Sequence, residues 1–480
     1  MQIFGGKGRG KLIKERPPTS QQNEKLSFGS KIAFALGGLG VAIGPGTIIP
    51  FWYTFFLTDI ARLDLGLVSL FWAIVTIWDA LNNPIVGYLS DRTRTRWGRR
   101  RPYLLFGALP VGAFFLLLWW IPPTTSQHLL FLYYLAAYIL FETTATVVNC
   151  PYLALAPELT RDHDERTSLM TAQMAVTILA GVLVPVFFGS IILPMFPDRD
   201  PRAYQLLALI CGCIFVMAYL ITFLGTRERV EERPVQDPSF RETTHSILRN
   251  RPFRYALAIY ILGWMAVSVA IALFAYYFIN WIGMSMGQVS LAQGLIMLMA
   301  WLLLPAVLWL SRRFEKKTAY IAAVGSWAFL MLGTLWLPQG AVIPAFVFCA
   351  LSGLGISAIH LIPSSMLPDI IEVDELASGH RQEGAYYGVA IFMNKLGEMV
   401  ILTLLPIALR SFGYIQPTTA DPSPVQSLAA LRALRLVIAI LPAFLLSLSI
   451  VVAWKYPLTR ARHAQIRREL ALKASRENEP

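Results

Sequence analysis

The chain has 480 residues, of which 56% are hydrophobic and only 15% charged, and its formal net charge is +12. A soluble domain carries about 25% charged residues, so a water-soluble globular protein is excluded, and apolar runs that are continuous rather than alternating exclude a membrane barrel. The positive charge sits between apolar runs, not among aromatics on one exposed face, so membrane topology accounts for it and nucleic acid is not an expected partner.

In chain order, residues 1–30 are a basic tail containing Lys7, Arg9, Lys11, Lys14, Arg16 and Lys25. The tail lacks the short apolar core and small-residue cleavage site of a signal peptide. Apolar runs of about 20 residues then recur, each long enough to cross a bilayer as a helix. They predict twelve spans: 31–57, 65–90, 102–122, 128–154, 168–194, 203–225, 254–281, 288–311, 318–337, 341–362, 384–410 and 428–455. The expected fold is an all-α membrane protein of two six-helix bundles, 31–225 and 254–455. A linker, 226–253, joins them, and a second tail covers 456–480.

Basic residues fall in alternate connections: the first tail, Arg92–Arg101, Arg227–Arg254, the cluster Arg312, Arg313, Lys316 and Lys317, and the end from Lys455. The intervening loops, such as "PPTTSQ" and "LPQG", have almost none. The positive-inside rule therefore places both termini in the cytoplasm. A plasma (inner) membrane location is expected. "PYLALAPEL" closes span four and "IPSSMLPDI" closes span ten, each with prolines and then an acid, Glu158 or Asp369, at the same edge. This echo fits two halves in parallel repeat.

A charge at the bilayer centre costs at least about 2.5–3.5 kcal/mol, so it faces a cavity, pairs, or works. Asp79 lies about 18 Å of helix from Asp91, and Lys395 about 16 Å from Gly384, placing both near mid-membrane. Asn83 shares the face of Asp79. Glu142, Thr146 and Asn149 form a polar stripe on span four. Lys395 has Glu398 as its i+3 neighbour, a pair that is either structural or functional. Asp79 and Glu142 have no cation on their own helices and must look to Lys395 or to water. His360 reads as a packed or helix-bonded histidine. Trp52, Tyr53, Trp264, Tyr276 and Tyr277 read as packing or as the wall of a ligand site. Cys150, Cys211, Cys213 and Cys349 lie in apolar runs without histidine neighbours and read as packing.

Three segments together are specific. "WDALNNPIVGYLSDRTRTRWGRRRPYLL" (Trp78–Leu105), "PYLALAPELTRDHDERTSL" (Pro151–Leu169) and "MLPDIIEVDELASGHRQEGAYYGVAIFMNKLG" (Met366–Gly397) resemble the glycoside–pentoside–hexuronide:cation symporters, the melibiose-permease group of the major facilitator superfamily. The resemblance implies two six-helix bundles working by alternating access. It implies a gate at Gly87, Asp91, Arg92 and Arg99, to which Glu158 and Asp369 are added. It implies cation or proton coupling at Asp79 and Asn83 and substrate binding at Asn149 and Lys395, and the polar and aromatic residues of the spans add Glu142 to the coupling set and Thr146, Trp264 and Tyr387 to the substrate set. The chain departs from the group at several points. Asn83 stands where a second acid is expected, Asn149 replaces the sugar-site acid, and Leu153 replaces an aromatic. The arginine expected in "TAQMAV" is missing, and Glu142 is an extra acid.

The expected function is coupled symport of a sugar- or glycoside-like solute. Transport of a lysophospholipid-like amphiphile is the alternative, and a non-transporting sensor or scaffold a further one. No nucleophile–base set or metal cluster suggests an enzyme. No resident cofactor is expected beyond a coupling H+ or Na+. The expected partners are a small-molecule substrate and membrane lipids, and the expected state is a monomer.

Overall fold

The computed structural model describes residues 26–160, 163–197, 199–228, 250–378, 383–417, 421 and 424–477. Among these, twelve helices are long and apolar enough to cross a membrane. The first six are α1 (Phe28–Ile43), α2 (Leu65–Arg92), α3 (Arg101–Leu118), α4 (Gln127–Leu159), α5 (His163–Phe187) and α6 (Pro201–Gly225). The second six are α7 (Arg251–Tyr277), α8 (Met286–Arg313), α9 (Lys316–Gly333), α10 (Val342–Ser378), α11 (Glu383–Ser411) and α12 (Leu428–Trp454).

Helix starts carry their own chemistry. Ser27, Asp64, Asp200, Asn250, Ser285 and Ser427 each accept a backbone N–H of the first turn, and Ser285 with Gln288 forms a reciprocal capping box. α1 continues past Ile43 in wider turns over Gly44–Tyr53 and Phe56–Ile60. Pro50, inside this stretch, has no N–H to give to a regular turn.

The predicted limits agree within a few residues except at span ten. There α10 runs on to Ser378, because the segment after Pro363, "PSSMLPDIIEVDELAS", is amphipathic and hydropathy registers only the apolar part. Arg460–Glu477 also forms a helix, α13, which is too polar to announce itself as a span. It lies on α10 with Ile466 buried and with His463 Nε2 2.9 Å from Glu372.

In the first half α1 packs on α5 and α6, α3 on α4 and α6, and α2 on α4. Adding six to every number gives the packing of the second half: α7 on α11 and α12, α9 on α10 and α12, and α8 on α10. Across the halves α2 meets α11 and α5 meets α8, a pair of contacts that the same repeat interchanges. Lipid is as apolar as a leucine face, so these contacts depend on close van der Waals fit. One close cross-half approach among the described residues is backbone on backbone. A Cβ at Gly189 would lie 2.7 Å from the Gly287 carbonyl oxygen, and one at Gly287 would lie 2.8 Å from that of Gly189.

Candidate functional site

Midway along α2 and α11, Asp79 and Lys395 form an ion pair that joins the two halves. Asn83, one turn after Asp79, donates through Nδ2 to the Asp79 carbonyl oxygen (2.9 Å) and to its Oδ1 (2.7 Å). That leaves Oδ2 for the lysine. On α4, Glu142 stands near the Asp79 carboxyl group and close enough to feel Lys395 and Glu398. α4 is tied to α2 beside it: Trp78 Nε1 donates to Thr143 Oγ1 (2.9 Å), and Asn82 Nδ2 to the Glu142 carbonyl oxygen (3.4 Å). Asp79, Glu142 and Glu398 thus set three carboxyl groups against the ammonium of Lys395. Among the described residues no three His, Cys, Asp or Glu stand close enough to hold a metal ion.

Lys395 turns to Asp79 and not to Glu398 on its own helix. Glu398 points instead into a cavity of about 340 Å³ between α1 and the second half. Its wall is apolar and aromatic, with Phe51, Trp264, Phe274 and Trp327, and its polar members are Ser268, Ser352, His360, Asn394 and Glu398. The ring centroids of Trp264 and His360 are 4.6 Å apart, and His360 Nδ1 lies 2.9 Å from the Ile356 carbonyl oxygen, a helix-bonded histidine. Trp264 Nε1 and Asn394 Oδ1 are buried without a hydrogen-bond partner in the protein. Trp264 is therefore brought to the cavity, and Lys395 follows its lining residue Asn394 on α11. Asn394 was not singled out in the sequence, although its place one residue before Lys395 on an inward-facing helix was the available signal.

Other candidates lie elsewhere. The amide oxygen of Asn149 accepts from Tyr219 Oη on α6 (2.6 Å), so Asn149 braces the inside of the first half. Thr146 is buried on the same helix, and Tyr387 is half-exposed two turns before Lys395. Trp52 Nε1 donates to Gln293 Oε1 (2.8 Å) across the halves, and Tyr53 is enclosed by Trp72 and Trp119.

The end that carries the arginine loop is held by a buried acid, Glu158, and a part-buried one, Asp369. Glu158 Oε1 meets Arg99 Nη2 and Arg100 Nε, each at 2.6 Å. In the second half Asp369 Oδ2 meets Lys316 Nζ at 2.6 Å. The echo between "PYLALAPEL" and "IPSSMLPDI" is thus an echo of position: each acid, Glu158 at the end of α4 and Asp369 within α10, binds the basic start of a neighbour. These pairs lie within each half. Gly87 faces Cys150 on α4, Arg92 ends α2 in an exposed position, and the side chain of Asp91 lies outside the described residues.

Glu228, just beyond α6, was missed in the sequence because it reads as part of a polar linker. Its carboxylate accepts the backbone N–H groups of Arg99 (2.6 Å), Arg100 (2.8 Å) and Arg101 (3.0 Å), where the positive end of the α3 dipole favours an anion. Gly98, at φ +108°, makes room for it, since a Cβ there would lie 2.4 Å from the carboxylate. Gly98→Ala is expected to eject Glu228 and to add backbone strain of about 1–3 kcal/mol. The readout is the midpoint of thermal unfolding of purified protein, and an unchanged midpoint would remove the clasp from the stability of this end.

At the opposite end the halves are bonded to each other. Thr58 Oγ1 pairs with Tyr276 Oη (2.6 Å), Tyr414 Oη donates to Asp59 Oδ1 (2.8 Å), and Gln416 Nε2 donates to the Leu63 carbonyl oxygen (2.8 Å). Ser290 Oγ donates to the Pro185 carbonyl oxygen (2.7 Å), and Ser69 Oγ to that of Thr403. Asp59 is buried, with Arg199 Nη1 3.7 Å away. It lies beyond the spanning part of α1, and burial pushes its carboxyl group up to about 6, against the opposing pull of Thr58, Tyr414 and Arg199.

Comparison with known proteins gives this geometry a lineage. Residues 33–460 match the family model described as MFS/sugar transport protein. The chain is 31% identical to "Uncharacterized symporter sll1374" of Synechocystis, over 93% of this chain and 97% of that protein. It is 28% identical to the mouse "Sodium-dependent lysophosphatidylcholine symporter 1" (97% of this chain, 91% of that protein). It is 26% identical to the "Glucuronide carrier protein homolog" of Escherichia coli (92% and 95%). The fold is similar to that of a bacterial homologue of the human lysosomal transporter Spinster, solved inward-facing and unoccupied. That similarity has a TM-score of 0.65 at 11% identity, over 89% of this chain and 95% of that one. A family match along most of the chain, on a pseudo-symmetric twelve-helix frame with a charged pair between its halves, makes this protein a member of the MFS/sugar transport protein family, an integral membrane secondary transporter.

Proposed function

We propose that the protein is a symporter of an amphiphile with an anionic headgroup, coupled to protons through Asp79 and Glu142. The observation that carries this reading is the cross-half ion pair of Lys395, whose helix neighbours Asn394 and Glu398 line the apolar cavity. In the structure Asp79 holds Lys395. An anionic headgroup, such as a phosphate, competes for the same ammonium. If it takes Lys395, Asp79 loses its counter-charge in a low-dielectric site, where a bare carboxylate is costly. A proton delivered to the Asp79–Glu142 pair removes that cost, so the substrate anion and the proton favour each other's binding. The tail lies along Phe51, Phe274 and Trp327 in the cavity. Similarity to lysophosphatidylcholine symporters supports this cargo class.

A glycoside is the second reading, supported by the family description and by the similarity to a glucuronide carrier homologue. We assign Gly87, Asp91, Arg92, Arg99, Glu158 and Asp369 to the gate at the arginine end. We place that end, with both termini, on the cytoplasmic side of the plasma (inner) membrane, in a monomer.

The test is uptake into reconstituted vesicles of labelled lysophosphatidic acid and of a labelled glucuronide, under an imposed proton or sodium gradient. Accumulation of the lysolipid driven by the proton gradient is expected. Accumulation of the glucuronide alone would select the second reading, and sodium-driven uptake indifferent to the pH gradient would defeat proton coupling.

A further inference from the structure

The cavity holds three polar groups that the protein itself leaves unanswered. Glu398 makes no hydrogen bond or ion pair among the described residues; its charged neighbours, Lys395 and Asp79, are engaged with each other. Asn394 Oδ1, one turn before it on the same face of α11, has no donor, and Trp264 Nε1 has no acceptor. Buried polar atoms are nearly always satisfied, so Asn394 Oδ1 and Trp264 Nε1, unsatisfied beside the part-buried Glu398 on one cavity wall, point to a missing partner. The chemistry of that partner follows from the set. A carboxylate and an amide oxygen one turn apart ask for a donor that also carries positive charge, while the Trp264 N–H, itself a donor, asks for an acceptor such as a headgroup oxygen beside that cation. The aromatic faces of Trp264 and Phe51 on the same cavity attract a cation.

Charge points the same way. The ammonium of Lys395 is held by Asp79, so the carboxylate of Glu398 brings a negative charge without a paired cation to the cavity wall. A monocation in the cavity cancels it.

We propose that Glu398, Asn394 and Trp264 form a subsite for an ammonium group bearing N–H bonds, so that the preferred cargo carries a primary amine. The subsite deepens the amphiphile reading and rests on it. It lies one helical turn from Lys395, so a headgroup with a phosphate and an amine spans both. A trimethylammonium group has charge but no N–H, and it leaves the Asn394 oxygen and the Glu398 carboxylate without donors. A hydrogen bond to a charged group, lost in this way, lowers affinity by about tenfold or more.

The experiment measures binding to the purified full chain in detergent of a series sharing one acyl chain: lysophosphatidic acid, lysophosphatidylethanolamine, its N-methyl and N,N-dimethyl forms, and lysophosphatidylcholine. Wild-type affinity is expected to be highest for the primary amine and to fall by about tenfold as methyl groups replace N–H bonds. A flat series, or one that rises with methylation, overturns the subsite. Because this comparison needs only the wild type, it stands even where a variant fails to fold. In Glu398→Gln the preference for lysophosphatidylethanolamine over lysophosphatidic acid should vanish while lysophosphatidic acid still binds, and a preserved preference would also overturn the proposal. Failure of every lysolipid to bind wild type would sink the amphiphile reading and the subsite with it. Equal binding across the series would sink the subsite alone.

Discussion

Lys395→Met should abolish proton-driven accumulation and sharply lower the thermal midpoint, whereas the double variant Asp79→Asn/Lys395→Met should recover the midpoint and not the accumulation. The single change removes the ammonium and leaves Asp79, Glu142 and Glu398 without a cation between them. Breaking a buried ion pair from one side costs about 3–5 kcal/mol, because the remaining charge stays buried and unpaired, while removing both partners is close to neutral. Asparagine at 79 keeps an acceptor for Asn83, so the local hydrogen bond to Oδ1 survives. Transport is different. In the proposed coupling Asp79 exchanges Lys395 for a proton taken up with Glu142, and the double variant has lost that exchange although Glu142 remains. Transport assays on the same vesicles, with thermal unfolding of the same preparations, separate the two effects. A double variant as unstable as Lys395→Met would show that the pair is not what holds these helices together. One that still accumulates substrate would remove Asp79 and Lys395 from coupling.

The second large effect is a pH dependence of the closure at the far end. Asp59 faces Thr58 and Tyr414 directly, with Arg199, Tyr276 and Tyr204 around it. In the closed state its carboxyl group is pushed up to about 6 from an ordinary value of 3.8. When the end opens and Asp59 meets water, the ordinary value returns. The closed state therefore binds the extra proton between these values. Its added stability is fully present below about pH 4 and is lost as pH rises through about 6. The ratio of closed to open should fall by roughly fiftyfold between pH 4 and pH 7. The measurement is the rate at which an impermeant thiol reagent modifies a cysteine placed at Ser69, in a background lacking the four native cysteines. Labelling should quicken as pH rises, and Asp59→Asn should flatten the profile. A profile that survives Asp59→Asn assigns the pH dependence to another group.

Much of this architecture is written locally. Spans follow from apolar length, and Asp79, Glu142 and Lys395 stand out because lipid tolerates so few charges. Helix periodicity also puts Asn83 on the face of Asp79, as found. What periodicity cannot supply is the partner. The stripe Glu142–Thr146–Asn149 is one face on paper, yet Glu142 meets Asp79 while Asn149 is taken by Tyr219, because a face that looks single meets two neighbours in the bundle. Asp59, Arg199 and Tyr414 come from three separate connections, and only closure of the two halves brings them together. Glu228 hides for the opposite reason: a carboxylate amid a charged linker looks like every other one until three N–H groups are found pointing at it.

The crossing of Gly189 and Gly287 has a practical consequence. Each backbone rests on the other with no room for a methyl group, so this point is where a crystallographer or cryo-microscopist can pick the state to be imaged. A bulky residue at Gly189 acts as a doorstop. It leaves Asp79, Lys395 and the cavity untouched, and it denies the molecule the arrangement described above. The population that remains is the one with the far mouth ajar, available for freezing, for raising conformation-selective binders, and for soaking cargo from the other side.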